Sequence, residues 1–386
     1  MSKDDVMLTK DRRNICNILT AIGIIWIMSG LFSFNSFAKS TFSKTKPDGV
    51  MSTAVKSEIA VSWEPVKGAD GYRIYEAKKE DDREKMLYEV AADTSQCQLV
   101  RTGMKPGEVY FYYVRAYQTT KNGEKKFSAP SLTVSTTVPV KGTSTIKNLL
   151  KTALAPVGST MYVWGGGWNK ADTGAGTDAK RIGLSPVWRS FAKNKKASYN
   201  YKNYRYQIHN GLDCSGYVGW CVYNVLNTKP KKKGYVYSAS KQAKKFSELG
   251  FGSYFTAGRI KDYRAGDIMS STCKCCGHVW IVVGQCKDGS VVLLHSSPAG
   301  VQLCGTTTLS GKKNSKAYKL AKKYMKKYYK TWYSRYPDVS RGKTYLSHYS
   351  QMRWQTSGEG IRLSDPDGYQ NMSAKEVLAD LFLQRE

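Results

Sequence analysis

The chain has 386 residues, 41% hydrophobic and 12% aromatic, which supplies two domains with real cores and excludes an intrinsically disordered chain. Sixty Lys and Arg against 30 Asp and Glu give a formal net charge of +30, so the surroundings it suits are anionic: nucleic acid, anionic lipid or a polyanionic cell wall. No nucleic-acid-binding motif is present, nucleic acid is not expected as a partner, and anionic wall polymers account for the charge best.

Residues 1–38 read as a segment that directs the chain out of the cytoplasm. Lys3, Lys10, Arg12 and Arg13 precede an apolar run from about Ile15 to Phe32, followed by Ser36-Phe37-Ala38. A basic start, a hydrophobic segment and a small-x-small exit describe a secretory signal cleaved after Ala38. The run is also just long enough to span a bilayer, which leaves an uncleaved membrane anchor open. Residues 39–51 read as a flexible polar linker rich in Lys, Ser and Thr.

From 52 to 139 short alternating segments follow one another: Ile59–Trp63, Gly71–Tyr75, Met86–Val90, Cys97–Val100, Tyr110–Ala116 and Leu132–Thr137. Period-2 patterning with turn signals between the segments predicts an all-β sandwich. Trp63, and Met104-Lys105-Pro106-Gly107 followed by Tyr110 and Val114-Arg115-Ala116, give this stretch a resemblance to a fibronectin type III module with its tyrosine corner. That resemblance implies a part that binds, spaces or orients rather than catalyses. Residues 140–146 form a hinge to a second domain, residues 147–386.

The second domain opens with Tyr162-Val163-Trp164-Gly165-Gly166, an aromatic-glycine segment that would ordinarily be strand core. The informative run is Gly211-Leu212-Asp213-Cys214-Ser215-Gly216-Tyr217-Val218, which places a cysteine at the start of an apolar-periodic helix with Asp213 suited to cap it. The positive end of the helix dipole is expected to lower the thiol pKa and make Cys214 a candidate nucleophile. Ser215 is a rival nucleophile in form alone and is expected to hydrogen-bond near the helix start. A turn at Ala265-Gly266-Asp267-Ile268, a strand opened by His278 in Gly277–Gly284, and a strand ending on His295 follow. One cysteine on a helix and two histidines on adjacent strands is what a thiol hydrolase requires. A base takes the thiol proton, and a third polar group fixes the tautomer of that base.

Beyond the strands, Ala317, Leu320, Ala321, Tyr324, Met325, Tyr328 and Trp332 recur at helical spacing among lysines, predicting one basic amphipathic helix over 315–335 packed on the core. A last short helix begins at a Ser373 cap. Cys273, Cys275 and Cys276 beside His278 could hold a metal, but they lack the second ligand pair of a structural zinc site, so no metal is expected.

Together Asp213-Cys214-Ser215-Gly216, Gly266-Asp267-Ile268, Gly277-His278-Val279, His295 and the Tyr162–Gly166 segment resemble the NlpC-type cysteine peptidases of bacterial cell walls over roughly residues 145–300. The resemblance implies a papain-like α+β domain that cuts peptidoglycan stem peptides between D-glutamate and the following diamino acid, with no cofactor. It implies Cys214 as nucleophile, His278 as general base and His295 as the orienting residue. Tyr162, Asp213 and Ser215 would help receive the free amino end of the stem peptide, and the backbone N–H of Cys214 would donate to the oxyanion. The chain departs from the family between Trp164 and Cys214, which lie 50 positions apart here against a much shorter family connection. The insert, with Trp168, Thr173–Gly176 and the tyrosines from 199 to 206, is expected to reshape the substrate groove. Another papain-like amidase, cross-bridge peptidase or acyltransferase, or a non-catalytic wall-binding protein, remains open at this point. A monomer is expected, at the cell surface or outside the cell.

Overall fold

A computed structural model describes residues 42–382, apart from 56, 78–84, 92–96, 107, 139–143, 171, 182, 227–232 and 273–276. The expected leader, most of the hinge and the Cys273–Cys276 run lie outside these residues. Among the described residues no helix is long and apolar enough to cross a membrane. The described chain is sheet-rich and multidomain, with two hydrophobic cores.

The first core lies between two antiparallel sheets. One holds β1 (Met51–Val55), β2 (Glu58–Ser62) and β5 (Gln98–Arg101) in the order β1-β2-β5. The other is built on β3 (Gly71–Ala77), β4 (Lys85–Ala91), β6 (Val109–Thr119), β7 (Lys125–Phe127) and β8 (Val134–Thr137), with β7 and β8 both paired to β6. Alternation decides which side chains turn inward: Ile59 and Val61 on β2, Tyr72 and Ile74 on β3, Tyr112, Val114 and Ala116 on β6 are buried. Trp63 packs beside Tyr72 with ring centroids 5.4 Å apart. The Tyr110 hydroxyl accepts from the backbone N–H of Lys105 at 3.1 Å, closing the corner anticipated from the sequence.

Residues 42–51 differ from the flexible linker expected. Ala129 N–H donates to the carbonyls of Ser43 and Thr45, Glu64 N–H donates to Asp48 O, and Pro47 and Val50 are buried. Met51 packs into the core of the second domain. Backbone pairing and these three apolar side chains outweigh the polar composition that suggested a linker.

The second domain begins with β9 (Ser144–Thr145) and α1 (Ile146–Leu154), whose N-cap Thr145 accepts from Asn148 N–H. Helices α2 (Pro186–Lys193), α3 (Cys214–Leu226) and α4 (Gln242–Glu248) precede the sheet. Its strands are β10 (Gly252–Phe255), β11 (Ile268–Ser271), β12 (Val279–Gln285), β13 (Val291–Ser297) and β14 (Gly300–Thr306). The predicted basic helix is two, α5 (Lys316–Tyr328) and α6 (Lys330–Arg335), with a break at Tyr329. Ser315 caps α5, and Ala317, Ala321 and Met325 are its buried stripe, as the spacing anticipated. Then come β15 (Ser340–Arg341), α7 (Thr344–Ser347), β16 (Tyr349–Trp354), β17 (Leu363–Ser364) and α8 (Ala374–Phe382). Ser373 and Glu376 form a reciprocal capping box at the start of α8.

The seven-stranded sheet runs β10-β16-β11-β12-β13-β14-β15, antiparallel except at β14–β15. Helix α3 is buried on every side from Cys214 to Val225, so it is a core helix rather than an amphipathic surface one. It lies against β12 and β13, and the Tyr217 hydroxyl ties it to α1 through Ala153 O at 2.7 Å.

Candidate active site

The start of α3 is fastened by Asp213. Its Oδ1 accepts from Gly216 N–H at 2.7 Å and from the Ser215 hydroxyl at 2.9 Å, while its backbone carbonyl accepts from Tyr217 N–H. Its Oδ2 accepts from Gly165 N–H at 3.2 Å, and Trp168 Nε1 donates to Ser215 Oγ at 3.2 Å. The Tyr162–Gly166 segment is thus a turn, not strand core: Gly166 N–H closes it onto Val163 O at 2.8 Å, and Gly165 N–H serves the helix start. A methyl group on Gly216 would collide with the carbonyl of Gly166, and one on Gly166 with the carbonyl of Gly211, which explains glycine in both runs. Burial pushes the Asp213 carboxyl up to about 6 against the pull of these donors.

Cys214, the first residue of α3, is 5% exposed. Its Sγ lies 3.9 Å from the Gly277 carbonyl oxygen, and the N–H groups of Val279 and Ser215 also face it. The thiol therefore sits against the backbone on either side of His278. Burial pushes its pKa up to about 12, the Asp213 charge adds to the rise, and those N–H groups oppose it. The expected lowering by the helix dipole is overturned: desolvation of a thiolate outweighs the dipole when the sulfur is sealed from water. No hydrogen bond joins the thiol to an imidazole among the described residues.

His278 precedes β12 by one residue and is positioned by its own N–H, which donates to Ser271 Oγ at 2.9 Å. Its Nε2 lies 2.8 Å from Nδ1 of His295, which is fully buried on β13. The antiparallel register Ile281↔Leu294 carries the chain before β12 alongside the end of β13, and the two ring centroids lie 5.0 Å apart. Burial, then the Arg341 charge, pull His278 down to about 3; His295 is lowered well below the free-imidazole range by burial, Arg341 and His278. Both rings are neutral at pH 7.

Three further side chains complete the site, and sequence reasoning missed them. Arg341, on β15 at the sheet edge, donates from Nε to His295 Nε2 at 3.2 Å and from Nη1 to Ser340 O at 2.7 Å. Tyr345 and Tyr349 stack at 5.3 Å, and their rings meet His278 edge-on at 5.7 and 6.5 Å. These residues lie well beyond His278 and His295 in the chain with no local motif, so only the return of the chain across the sheet brings them in.

Tyr162 lies within electrostatic reach of Cys214 and Asp213. It is buried, and burial followed by the Cys214 and Asp213 charges raises its hydroxyl pKa. The insert supplies its neighbours: Tyr201 meets Tyr162 edge-on at 5.2 Å and stacks on Trp164 at 6.5 Å, and the Arg205 guanidinium lies 4.8 Å above Trp164. The structure thus brings together Tyr162, Asp213, Cys214, Ser215, His278 and His295. Asp213 and Ser215 turn their oxygens inward to the turn and helix. A cavity of about 820 Å³ lies elsewhere, between the sandwich and α2 and α6, lined by residues including Tyr72, Arg189 and Trp332.

No protein-family model matches the chain. No curated protein matches it. Among solved structures, it is similar to the FN1–FN3 domains of chicken CNTN1, at 23% identity over 25% of this chain and 31% of that one, with a TM-score of 0.22. FN3tt is similar at 21% identity over 24% of this chain and 91% of its own, TM-score 0.18. An Fn3-like protein from Clostridium thermocellum is similar at 20% identity, covering 23% of this chain and 88% of that one, TM-score 0.20. Fibronectin type III-like similarity thus covers about a quarter of the chain.

Proposed function

We propose that the second domain is a papain-like, NlpC-type cysteine peptidase that hydrolyses stem peptides of peptidoglycan between D-glutamate and the diamino acid. The observation that carries the reading is the position of Cys214 at the first turn of a buried helix, its sulfur against residues 277–279, with His278 hydrogen-bonded to His295. In this reading His278 accepts the thiol proton at Nδ1, the nitrogen that His295 does not occupy. The sulfur attacks the amide carbonyl, and backbone N–H groups including that of Cys214 hold the oxyanion. His278 returns the proton to the leaving amine, and water then hydrolyses the thioester. The aromatic wall of Tyr162, Trp164 and Tyr201 would line the groove that receives the peptide, and no cofactor enters the steps.

The chain is proposed to act outside the cytoplasm, secreted or tethered through residues 1–38, with the sandwich as spacer or wall-binding part. Its net charge of +30 suits anionic wall polymers. The neutral, enclosed thiol favours one competing reading, a wall-binding protein without hydrolase activity. Mass spectrometry of peptidoglycan after incubation with the full-length protein and with Cys214→Ala separates the two. Fragments that begin at the diamino acid, formed by the wild type and absent with Cys214→Ala, are expected. Fragments cut at another bond would move the specificity to a different amidase or cross-bridge peptidase. Release of nothing by either protein would support binding alone.

A further inference from the structure

We infer that Arg341 is a latch on this site: its hydrogen bond to His295 holds the histidine pair in a tautomer that cannot accept the Cys214 proton, and turnover begins when the guanidinium withdraws. The inference rests on the catalytic reading above, and its test does not depend on activity.

A guanidinium carries only donors, so Arg341 Nε, 3.2 Å from His295 Nε2, requires a lone pair on that nitrogen. His295 is neutral and buried, and its one proton must then sit on Nδ1. At 2.8 Å that N–H faces His278 Nε2, which must accept. Neutral His278 is left with its proton on Nδ1, and its only lone pair is already engaged. The nitrogen needed to take the thiol proton is itself protonated. Adding a proton to His278 does not help, because two N–H groups would then face each other across the same 2.8 Å.

Withdrawal of Arg341 reverses the pattern with no net change in protons. The His295 proton moves to Nε2, its Nδ1 accepts from His278 Nε2–H, and His278 Nδ1 gains the lone pair that general-base chemistry requires. The structure gives Arg341 somewhere to go. Asp338 Oδ2 lies 3.6 Å from Nη1, and that side chain is 80% exposed. Its 2.7 Å bond to Ser340 O is to the adjacent residue of its own strand; the guanidinium also meets Tyr345 and Cys304, and its contacts to Asp338 O at 3.4 Å and Ser297 Oγ at 3.5 Å are at the long limit of hydrogen bonding. Strand β15 is two residues long at the sheet edge, so the shift disturbs little backbone.

The chain has four histidines, so the full-length protein labelled with ¹⁵N-histidine gives few enough signals to assign protonated and lone-pair nitrogens directly. The wild type is expected to carry its proton on Nδ1 in both His278 and His295. Arg341→Met is expected to move both to Nε2, and Arg341→Lys, which still donates, to keep the wild-type pattern. Alkylation of Cys214 by iodoacetamide at pH 7 should be about tenfold faster in Arg341→Met, the worth of one hydrogen bond to a charged group, and unchanged in Arg341→Lys. A wild-type spectrum with the His278 proton on Nε2 overturns the latch, and so does an unchanged tautomer in Arg341→Met. Should Arg341→Met fail to fold, the wild-type spectrum alone decides. Hydrolysis that persists in Cys214→Ala would remove the catalytic reading and leave the tautomer result standing.

Discussion

Asp213 holds three groups of the site at once, the α3 cap, the Ser215 hydroxyl and the Gly165 N–H of the aromatic turn. Asp213→Ala is therefore expected to cost about 1–2 kcal/mol in urea unfolding, at the upper end for an N-cap, whereas Asp213→Asn keeps an acceptor and costs less. The histidine pair sets a pH dependence. Both rings are neutral when folded and bind protons when unfolded, so below the free-imidazole pKa near 6.5 the unfolded chain holds more protons. Stability should fall as the pH drops from about 6.5 toward 3, by up to ~1.4 kcal/mol per pH unit for each histidine. Thermal unfolding of the wild type and of His295→Asn across this range checks it: the variant should show the shallower fall, and parallel curves would contradict the assignment of neutral rings.

At the scale of elements, β11 and β16 are joined by a buried ion pair as well as by their ladder. Asp267, fully buried at the start of β11, accepts from Arg353 Nη2 at 2.9 Å, from Gln351 Nε2 at 2.7 Å and from Arg264 N–H at 2.8 Å. Burial raises its carboxyl to about 6 even against the guanidinium. Arg353→Met strips the carboxylate of its cation and should destabilise by about 3–5 kcal/mol in chemical denaturation, with a cost under 1 kcal/mol contradicting a shared role in pinning the strands. The same elements show what local patterns reveal. The α3 start, the strands after His278 and before His295, the buried stripe of α5 and the Ser373 cap are written in contiguous residues, so spacing was enough to find them. The break at Tyr329, the turn at 162–166 and the contact of Arg341 with His295 depend on partners far along the chain. The thiol pKa was misjudged for the same reason, since the dipole is a local property of α3 and burial is a tertiary one.

Over the whole molecule, the sandwich and the second domain meet through β1, whose Met51 enters the second core, and Lys151 of α1 donates to Ser135 O at 2.7 Å. Arg189 stands in the cavity between them, 9% exposed, with Nε and Nη1 lacking a hydrogen-bond partner among the described residues and burial lowering its pKa. Two unsatisfied N–H groups on a buried guanidinium are a cost that attraction to Glu64 offsets only in part, so Arg189→Met should raise stability by about 1 kcal/mol, read as an increase in Tm; a decrease would show the guanidinium to be structurally engaged. The net charge of +30 predicts wall binding that weakens steadily between low salt and ~0.5 M, where screening shortens the reach of surface charges to a few ångströms. Sedimentation with purified walls measures that release, and salt-independent binding would argue against an electrostatic hold. The central claim, that Cys214 is the nucleophile of an amide hydrolase, is met most directly by acid-quenching the full-length protein during reaction with peptidoglycan fragments and mapping adducts by mass spectrometry. A stem-peptide acyl group on the Cys214 peptide is the result the account predicts; stem peptides cleaved with no adduct, by wild type and Cys214→Ala alike, would contradict it.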